Sequence, residues 1–272
     1  MWPLILDRLK KVLWSLRVRV HNDTRPLRLR LLQWRLGKLP VVADPGGGAA
    51  VIVAPHPDDD IFGAGGLIAM KRDGGFPVRV IFLTNGEAAH DYCCGIRPEL
   101  VGQARWDLAV DACKALGVEA EELRWCSLPD GGIPRRNEAG YAEAVERLAR
   151  LLRESGASEV YCPHVADGWR DHVSANRLVV VAVRHSGLSL RIFGYLVWAL
   201  YDPPLTEILK LRARKGRRLD IDRVKSRKYA AMGLYLDASP APCGFPYCGR
   251  LPQSLIDAVR EPYEVFLPVP DA

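Results

Sequence analysis

Ala49-Ala50-Val51-Ile52-Val53-Ala54-Pro55-His56-Pro57-Asp58-Asp59-Asp60 decides how this chain is read, together with Gly63, Gly65 and Gly66 just beyond it. The short apolar run, rich in β-branched residues and stopped by Pro, predicts a buried strand that ends at a turn. The polar cluster then falls where the strand's carboxyl end meets a helix start, the usual ligand position of an open α/β sheet. One His and three carboxylates within five residues are hard to hold there unless a cation balances them. A metal site is the first expectation from this segment.

The rest of the chain repeats the strand-to-helix pattern. Strands are predicted at Val51–Ala54, Val78–Leu83, Leu123–Cys126, Glu159–Cys162 and Arg191–Trp198. Helices are predicted between them at Gly63–Arg72, Val101–Leu116, Glu138–Glu154 and Val173–His185. Gly117 is a helix stop signal, and Ala142, Val145, Leu148, Ala149 and Leu152 share one helical face. This alternation predicts an α/β fold with a mainly parallel sheet covered by helices on both faces. The tail is less regular: a helix at Asp222–Tyr235, a loop at Pro240–Pro252 and an edge strand at Tyr263–Leu267. No internal repeat or low-complexity segment is visible.

A chain of 272 residues holds one large α/β domain or two small ones. Its formal charge of +6 is unevenly spread. Ten Lys or Arg against Asp7 and Asp23 fall within residues 1–40, so the remainder is close to neutral and slightly acidic. Asp44-Pro45-Gly46-Gly47-Gly48 reads as a flexible joint, dividing a basic amphipathic arm (1–44) from the main body (45–272). Charges interrupt every apolar stretch of the arm well short of a membrane span, and Asp7, Arg8 and Lys10-Lys11 break any signal-peptide core. Ile5, Leu9, Val12 and Leu16 share a helical face, and Leu27 to Leu36 is similarly apolar and basic. Two readings compete: a helix pair at an anionic membrane surface, or an arm packed on its own body or a second subunit. No nucleic-acid module accompanies the charge, so nucleic acid is not an expected partner.

The seven cysteines include no C-x-x-C pair, which argues against a zinc ribbon or a thioredoxin-type motif. Cys243 and Cys248 share a Pro/Gly-rich loop in which a disulfide or a local structural role is open. Reduced thiols are favoured, as expected of a cytoplasmic protein, here one with peripheral contact at the membrane surface through residues 1–40.

His56 and Asp59 can hold one divalent ion through nitrogen and oxygen. A catalytic zinc takes three protein ligands and keeps a position for water, so a third must come from another strand end. Tyr161-Cys162-Pro163-His164-Val165-Ala166-Asp167-Gly168-Trp169-Arg170-Asp171-His172 follows a strand and opens a helix, repeating the geometry of the first motif. Either His172 or His164 is available there, His164 after Pro163 being the more structural choice. The bland alternatives are a simple His-Pro-Asp turn, with Asp59 or Asp60 as a helix cap.

These residues resemble the His-Pro-Asp-Asp signature of the PIG-L/LmbE-like zinc-dependent N-deacetylases. The resemblance continues at Leu83-Thr84-Asn85-Gly86-Glu87, at Arg105 with Leu116-Gly117-Val118, and at Leu128-Pro129-Asp130-Gly131. It ends with Asp171-His172 and more faintly Lys228 and Ala231, covering about residues 49–235. It implies a Rossmann-like fold, one catalytic zinc (Zn2+) and removal of acetyl from an N-acetylglucosamine-type amine. Carried over, His56, Asp59 and His172 match the zinc ligands and Asp58 the catalytic base.

Two departures stand out. The family's second motif commonly reads His-x-Asp-His, its first His stabilising the oxyanion; here that place is Trp169. Indole donates one hydrogen bond but carries no charge, so His164, Arg170 or His90 is a candidate substitute, and Asp171 a candidate partner of His172. Asp60 stands where the family usually has Glu and is expected to cap or support. Arg105 is expected to brace the Asp cluster or reach substrate; Asn85, Glu87 and Trp169 are expected to contact it. His90-Asp91-Tyr92-Cys93-Cys94 is expected in a loop over the pocket.

The leading reading is a zinc N-deacetylase of an N-acetylated amino sugar, on a lipid-linked or envelope glycan if the arm reaches a membrane. A soluble sugar-thiol precursor or a natural-product sugar suits the same site. The alternative, prompted by Trp169, is a non-catalytic glycan- or partner-binding relative. A nucleotide-binding Rossmann protein is disfavoured, because no G-x-G-x-x-G follows the first strand.

Overall fold

The computed structural model describes residues 2–211 and 216–269, with side chains from residue 18 onward. β2 (Ala50–Ala54) is buried at every position. Its alternate residues feed two cores: Ala50, Ile52 and Ala54 one, Val51 and Val53 the other. β3 (Val78–Thr84) does the same, with Val80 and Phe82 on the first side and Ile81 and Leu83 on the second. A strand apolar on both faces belongs in the middle of a covered parallel sheet, and β2 lies there, between β3 and β5 (Glu159–Pro163). β4 (Leu123–Leu128) and β6 (Arg191–Tyr195) extend the parallel sheet outward.

α2 (Asp59–Asp73), α3 (Pro98–Ala115) and α6 (Lys225–Leu236) supply the first core, and α4 (Tyr141–Ser155) and α5 (Arg170–Ser186) the second. The expected α/β class, parallel interior and two covered faces are all present. The strand carboxyl ends of β2, β3 and β5 therefore open on one edge, where their loops meet.

One tail expectation is corrected. β8 (Tyr263–Pro268) is no edge strand: it runs antiparallel between β6 and β7 (Arg217–Asp220). The reason is burial, since Phe266 and Leu267 are buried and even Glu264 is enclosed. β7, reading Arg-Arg-Leu-Asp, carried too many charges to be predicted. The outermost strand on this side is β1 (Val41–Val42), paired with β7. Among the described residues, the eight strands run β1-β7-β8-β6-β5-β2-β3-β4.

The arm is a single helix, α1 (Trp2–Leu36), rather than a pair. Its second half joins the body: Leu32, Leu36 and Leu39 are buried against Leu196, Ala199, Ile208 and Leu267. Arg28 is buried too, ion-paired with Asp202 at 2.9 Å. The face formed by Ile5, Leu9, Val12 and Leu16 lies outside the residues whose side chains are described. The Gly46–Gly48 joint is pinned, because the buried Lys71 Nζ donates to the Gly46 and Gly48 carbonyls and pairs with Glu159 at 2.7 Å.

α2 is broken at Ala64 (φ −145°, ψ 15°). A break frees amides on one side and carbonyls on the other. The Glu264 carboxylate accepts from the Gly66 and Leu67 amides, and the Lys228 ammonium donates to the Phe62 carbonyl. Lys228 and Glu264 pair at 2.8 Å, so one buried ion pair serves both halves. Gly63 lets the Tyr195 ring approach: a Cβ there would fall 2.2 Å from its Cδ2.

Candidate active site

The turn from β2 into α2 carries the first motif. Asp58 is the residue before the helix, and its φ of 136° places a non-glycine residue in a region that L side chains rarely adopt. Such strain costs about 1–3 kcal/mol and persists only where the surroundings over-determine it. Here the Asp58 carbonyl accepts from Ile61 and Phe62, and its side chain lies 3.1 Å from the Arg105 guanidinium. Arg105 also donates to the carbonyls of Pro57 and Gly86. It is buried, and these bonds brace the turn; its side chain also lines the cleft above. Gly86 (φ 68°) leaves room for it, since a Cβ there would meet the guanidinium at 2.4 Å.

Asp59 points the other way. Its Oδ2 lies 3.0 Å from His56 Nδ1 and 3.3 Å from His172 Nε2, and one ligand atom from each of the three residues falls within 4.8 Å of the others. α5 brings in His172, whose ring is fully buried. Its Nδ1 sits 2.8 Å from Asp167 Oδ2. Asp167 is held by the Val197 and Ala199 amides, so its carboxylate is the acceptor and Nδ1 the assigned donor. The Nε2 lone pair is left facing the Asp59 oxygen, and Nε2 is a buried atom with no hydrogen-bond partner. Two electron-rich atoms aimed at one point fit a bound cation. The N/O donor set suits zinc with one position left open, and His56, Asp59 and His172 are the residues that would hold it.

Further carboxylates surround His56. Asp130 Oδ1 lies 3.1 Å from its Nε2, and Asp171 Oδ2 3.5 Å. Asp171 is therefore beside His56 and accepts from the Ile133 amide; the partner of His172 is Asp167. This corrects the expectation for Asp171. Asp167 and Asp130 are the residues that sequence reading missed. Asp130 stood in the Leu-Pro-Asp-Gly segment with no role attached, and Asp167 lay five positions before His172, followed by a turn glycine.

Burial pushes the Asp58 carboxyl up to about 7, with Arg105 opposing and Asp59 adding to the rise. Burial also lifts Asp60 to about 7, against hydrogen bonds from the Cys113 thiol and the Asp58 amide. Asp60 thus supports the turn from behind and makes no cap. Burial would raise Asp59 as well, but His172 and His56 hold it well below the carboxylate range. Burial opposes protonation of His172, yet Asp59 and Asp167 push it up to about 9.

A cleft of about 380 Å³ opens over His56, Asp58 and Asp59, within the range of small-molecule sites. Trp169, half exposed, stacks on Trp198 at 4.1 Å and 13° on its rim. Asn85 and Glu87 do not line it. Glu87 turns inward to accept from the Asp130 amide, and Asn85 packs on Gly102. The candidates to replace the family's His also lie elsewhere. His164 lines a separate cavity, Arg170 donates to the Gly131 carbonyl, and the His90 ring is bound to Pro246 and Cys93.

Residues 51–183 match the family described as PIG-L: GlcNAc-PI de-N-acetylase. The chain is 30% identical over 200 residues to a 1D-myo-inositol 2-acetamido-2-deoxy-alpha-D-glucopyranoside deacetylase of Nocardia farcinica, covering 62% of this chain and 64% of that protein. It thus spans a little less than two thirds of that relative's length. A 2'-N-acetylparomamine deacetylase of Streptomyces fradiae is 24% identical over 204 residues, 69% of this chain and 72% of the relative. Among solved structures, an N,N'-diacetylchitobiose deacetylase from Pyrococcus horikoshii superposes with a TM-score of 0.54 at 18% identity, over 79% of this chain and 77% of that one. That likeness is one of fold.

Proposed function

This chain carries a PIG-L family domain, and from that premise we propose that it removes the acetyl group from an N-acetylglucosamine-type amine, with one zinc held by His56, Asp59 and His172. The observation that carries the reading is the convergence of these three side chains beneath the cleft, with the braced and strained Asp58 beside them.

Zinc bound there would supply Lewis acidity toward the amide carbonyl and make a bound water more acidic. Asp58, beside the ligands but not one of them, takes the proton of the attacking water and returns it to the leaving nitrogen. Its raised position near 7 suits a group that must both accept and donate near neutrality. Arg105 keeps the Asp58 carboxylate turned toward the cleft. Asp167 holds the His172 tautomer that presents Nε2. The stacked Trp169 and Trp198 offer a flat apolar wall to a sugar ring.

Trp169 in place of the family's His removes a charged donor from the oxyanion side, which supports slower or differently tuned turnover. It also keeps open a second reading, a glycan-binding relative without catalysis. A lipid-linked or envelope acceptor, reached through contact of the basic residues 1–17 with anionic lipid, is the further part of the proposal. Each Lys or Arg near such a surface contributes about 1 kcal/mol. No described helix is long and apolar enough to cross a membrane.

The test is zinc analysis with amine release from an N-acetylglucosaminide and related acetamido sugars, comparing the chain with Asp58→Asn. Zinc bound but no amine released by either protein across these sugars selects the binding-only reading. For the arm, flotation with anionic liposomes should be lost when Arg8, Lys10, Lys11 and Arg17 become Glu. Truncation at Pro45 is unsuitable, because it also removes the buried Leu32, Leu36 and Leu39.

A further inference from the structure

His90 ends the short turn after β3, and its ring is 2% exposed. Its Nε2 lies 3.1 Å from the Pro246 carbonyl, which only accepts, so Nε2 carries the proton and the Nδ1 lone pair is free. That lone pair faces three sulfurs: Cys93 at 3.0 Å, Cys243 at 3.3 Å and Cys94 at 3.9 Å. The Cys93 sulfur is in turn 3.2 Å from that of Cys243 and 3.6 Å from that of Cys94.

As thiols these groups are poorly matched, because one nitrogen lone pair can accept a single S–H. As metal ligands they fit. Zinc bonds of about 2.3 Å to sulfur and 2.0–2.1 Å to nitrogen set tetrahedral ligand atoms about 3.5–3.8 Å apart. The four ligand atoms lie within 4.8 Å of one another. A Cys₃His set with no carboxylate is that of a structural zinc site, and a carbonyl on the far nitrogen is the usual means of orienting a ligating His. The other four cysteines are each buried and none joins the cluster. Cys248 faces the Tyr235 carbonyl instead. The partner of Cys243 is therefore Cys93, from 150 residues away, and not its loop neighbour.

We propose that His90, Cys93, Cys94 and Cys243 bind a second metal ion, a structural zinc, that clamps two loops of the cleft together. Ala88, Ala89 and Tyr92 precede or adjoin the first ligands, and Gly249, Arg250 and Leu251 follow the last; all six line the cleft. The ion fixes the distance between these two walls and, with it, the shape offered to a ligand. The inference stands on its own ligands and does not depend on what the His56 site does.

Cobalt(II) distinguishes the two sites, since only this one has thiolates. The full chain, purified under reducing conditions, stripped and reloaded with cobalt, should show an intense thiolate-to-cobalt charge-transfer band in the near ultraviolet. The band should survive His172→Ala and vanish in the double variant Cys93→Ser with Cys243→Ser. Alkylation mapped by mass spectrometry is the second measurement: zinc should slow modification of the exposed Cys93 at least tenfold. Absence of the band in the unsubstituted chain, its persistence in the double variant, equal alkylation of Cys93 with and without zinc, or a Cys93–Cys243 disulfide in freshly isolated protein would each overturn the proposal.

Discussion

Asp167 holds His172 from behind, with Asp167 Oδ2 2.8 Å from His172 Nδ1, and two backbone amides of the Val197–Ala199 turn hold Asp167 in place. The ring nitrogen that faces Asp59 is thus set by a carboxylate that never approaches the cleft. Removing such a support typically weakens metal binding 10–100-fold. Asp167→Asn should therefore lower zinc affinity by about 10–100-fold, with Asp171→Asn having the smaller effect. Competition against a chromophoric chelator measures both; equal affinities for Asp167→Asn and the unsubstituted chain would contradict the assignment.

Asp58→Asn keeps the shape of the turn but removes the proposed proton carrier. Amine release should fall by about 10²–10⁴-fold, while zinc content stays unchanged. A parallel loss of zinc would place Asp58 among the ligands instead.

Zinc affinity should rise with pH. Burial disfavours the charged His172, but Asp59 and Asp167 raise it from 6.5 to about 9 in the metal-free site. A raised folded value means that this proton stabilises the metal-free fold fully below about pH 6.5, the contribution fading as pH rises through about 9. Zinc needs the neutral ring and must displace that proton. This proton alone should tighten affinity by up to about tenfold per pH unit below about 9, and His56, which burial lowers but Asp130, Asp171 and Asp59 raise well above the usual imidazole range, steepens the slope further. Chelator titrations at several pH values read the slope, and a flat profile between about pH 6.5 and 8.5 excludes the displaced proton.

Glu264→Ala should destabilise the fold by about 3–5 kcal/mol, the usual effect of leaving a buried charge unpaired. It strands the Lys228 ammonium and the Gly66 and Leu67 amides together. Urea unfolding measures it. Adding Lys228→Met should recover part of the loss, because the two positions share one interaction.

Trp169→His restores the charged donor that the family commonly has at this place. Turnover should rise, by up to about a hundredfold if the donor reaches the carbonyl oxygen. Steady-state kinetics on an N-acetylglucosaminide decide it. An unchanged kcat would show that Trp169 works only as the stacked wall with Trp198.

Much of the site was legible because each motif is local. The apolar run before His56 predicts β2, and the Pro and Asp residues after it predict the turn. Asp171-His172 repeats that logic at the end of β5. What could not be read was assembled across distance. Asp167 owes its role to amides some thirty positions on, and Asp130 meets His56 only because β4 and β2 open on one edge. β8 was misplaced for a related reason. Its alternation identifies a strand, but an interior position depends on neighbours on both sides, and β7 was masked by its charges. The Cys93 and Cys243 pairing carries no spacing signal, since the loops that bring them together are set by the fold.

The break in α2 at Ala64 has a temporal consequence. During synthesis the His56–Asp60 turn emerges early, yet the carboxylate that secures the second half of its helix, Glu264, lies in β8, almost two hundred residues later. β8 also closes the gap between β6 and β7. Until it arrives, the parallel sheet has an unprotected flank and the helix carries unsatisfied amides. The turn that carries the candidate site is thus made well before the strand that secures its helix, which ties a competent site to the arrival of β8.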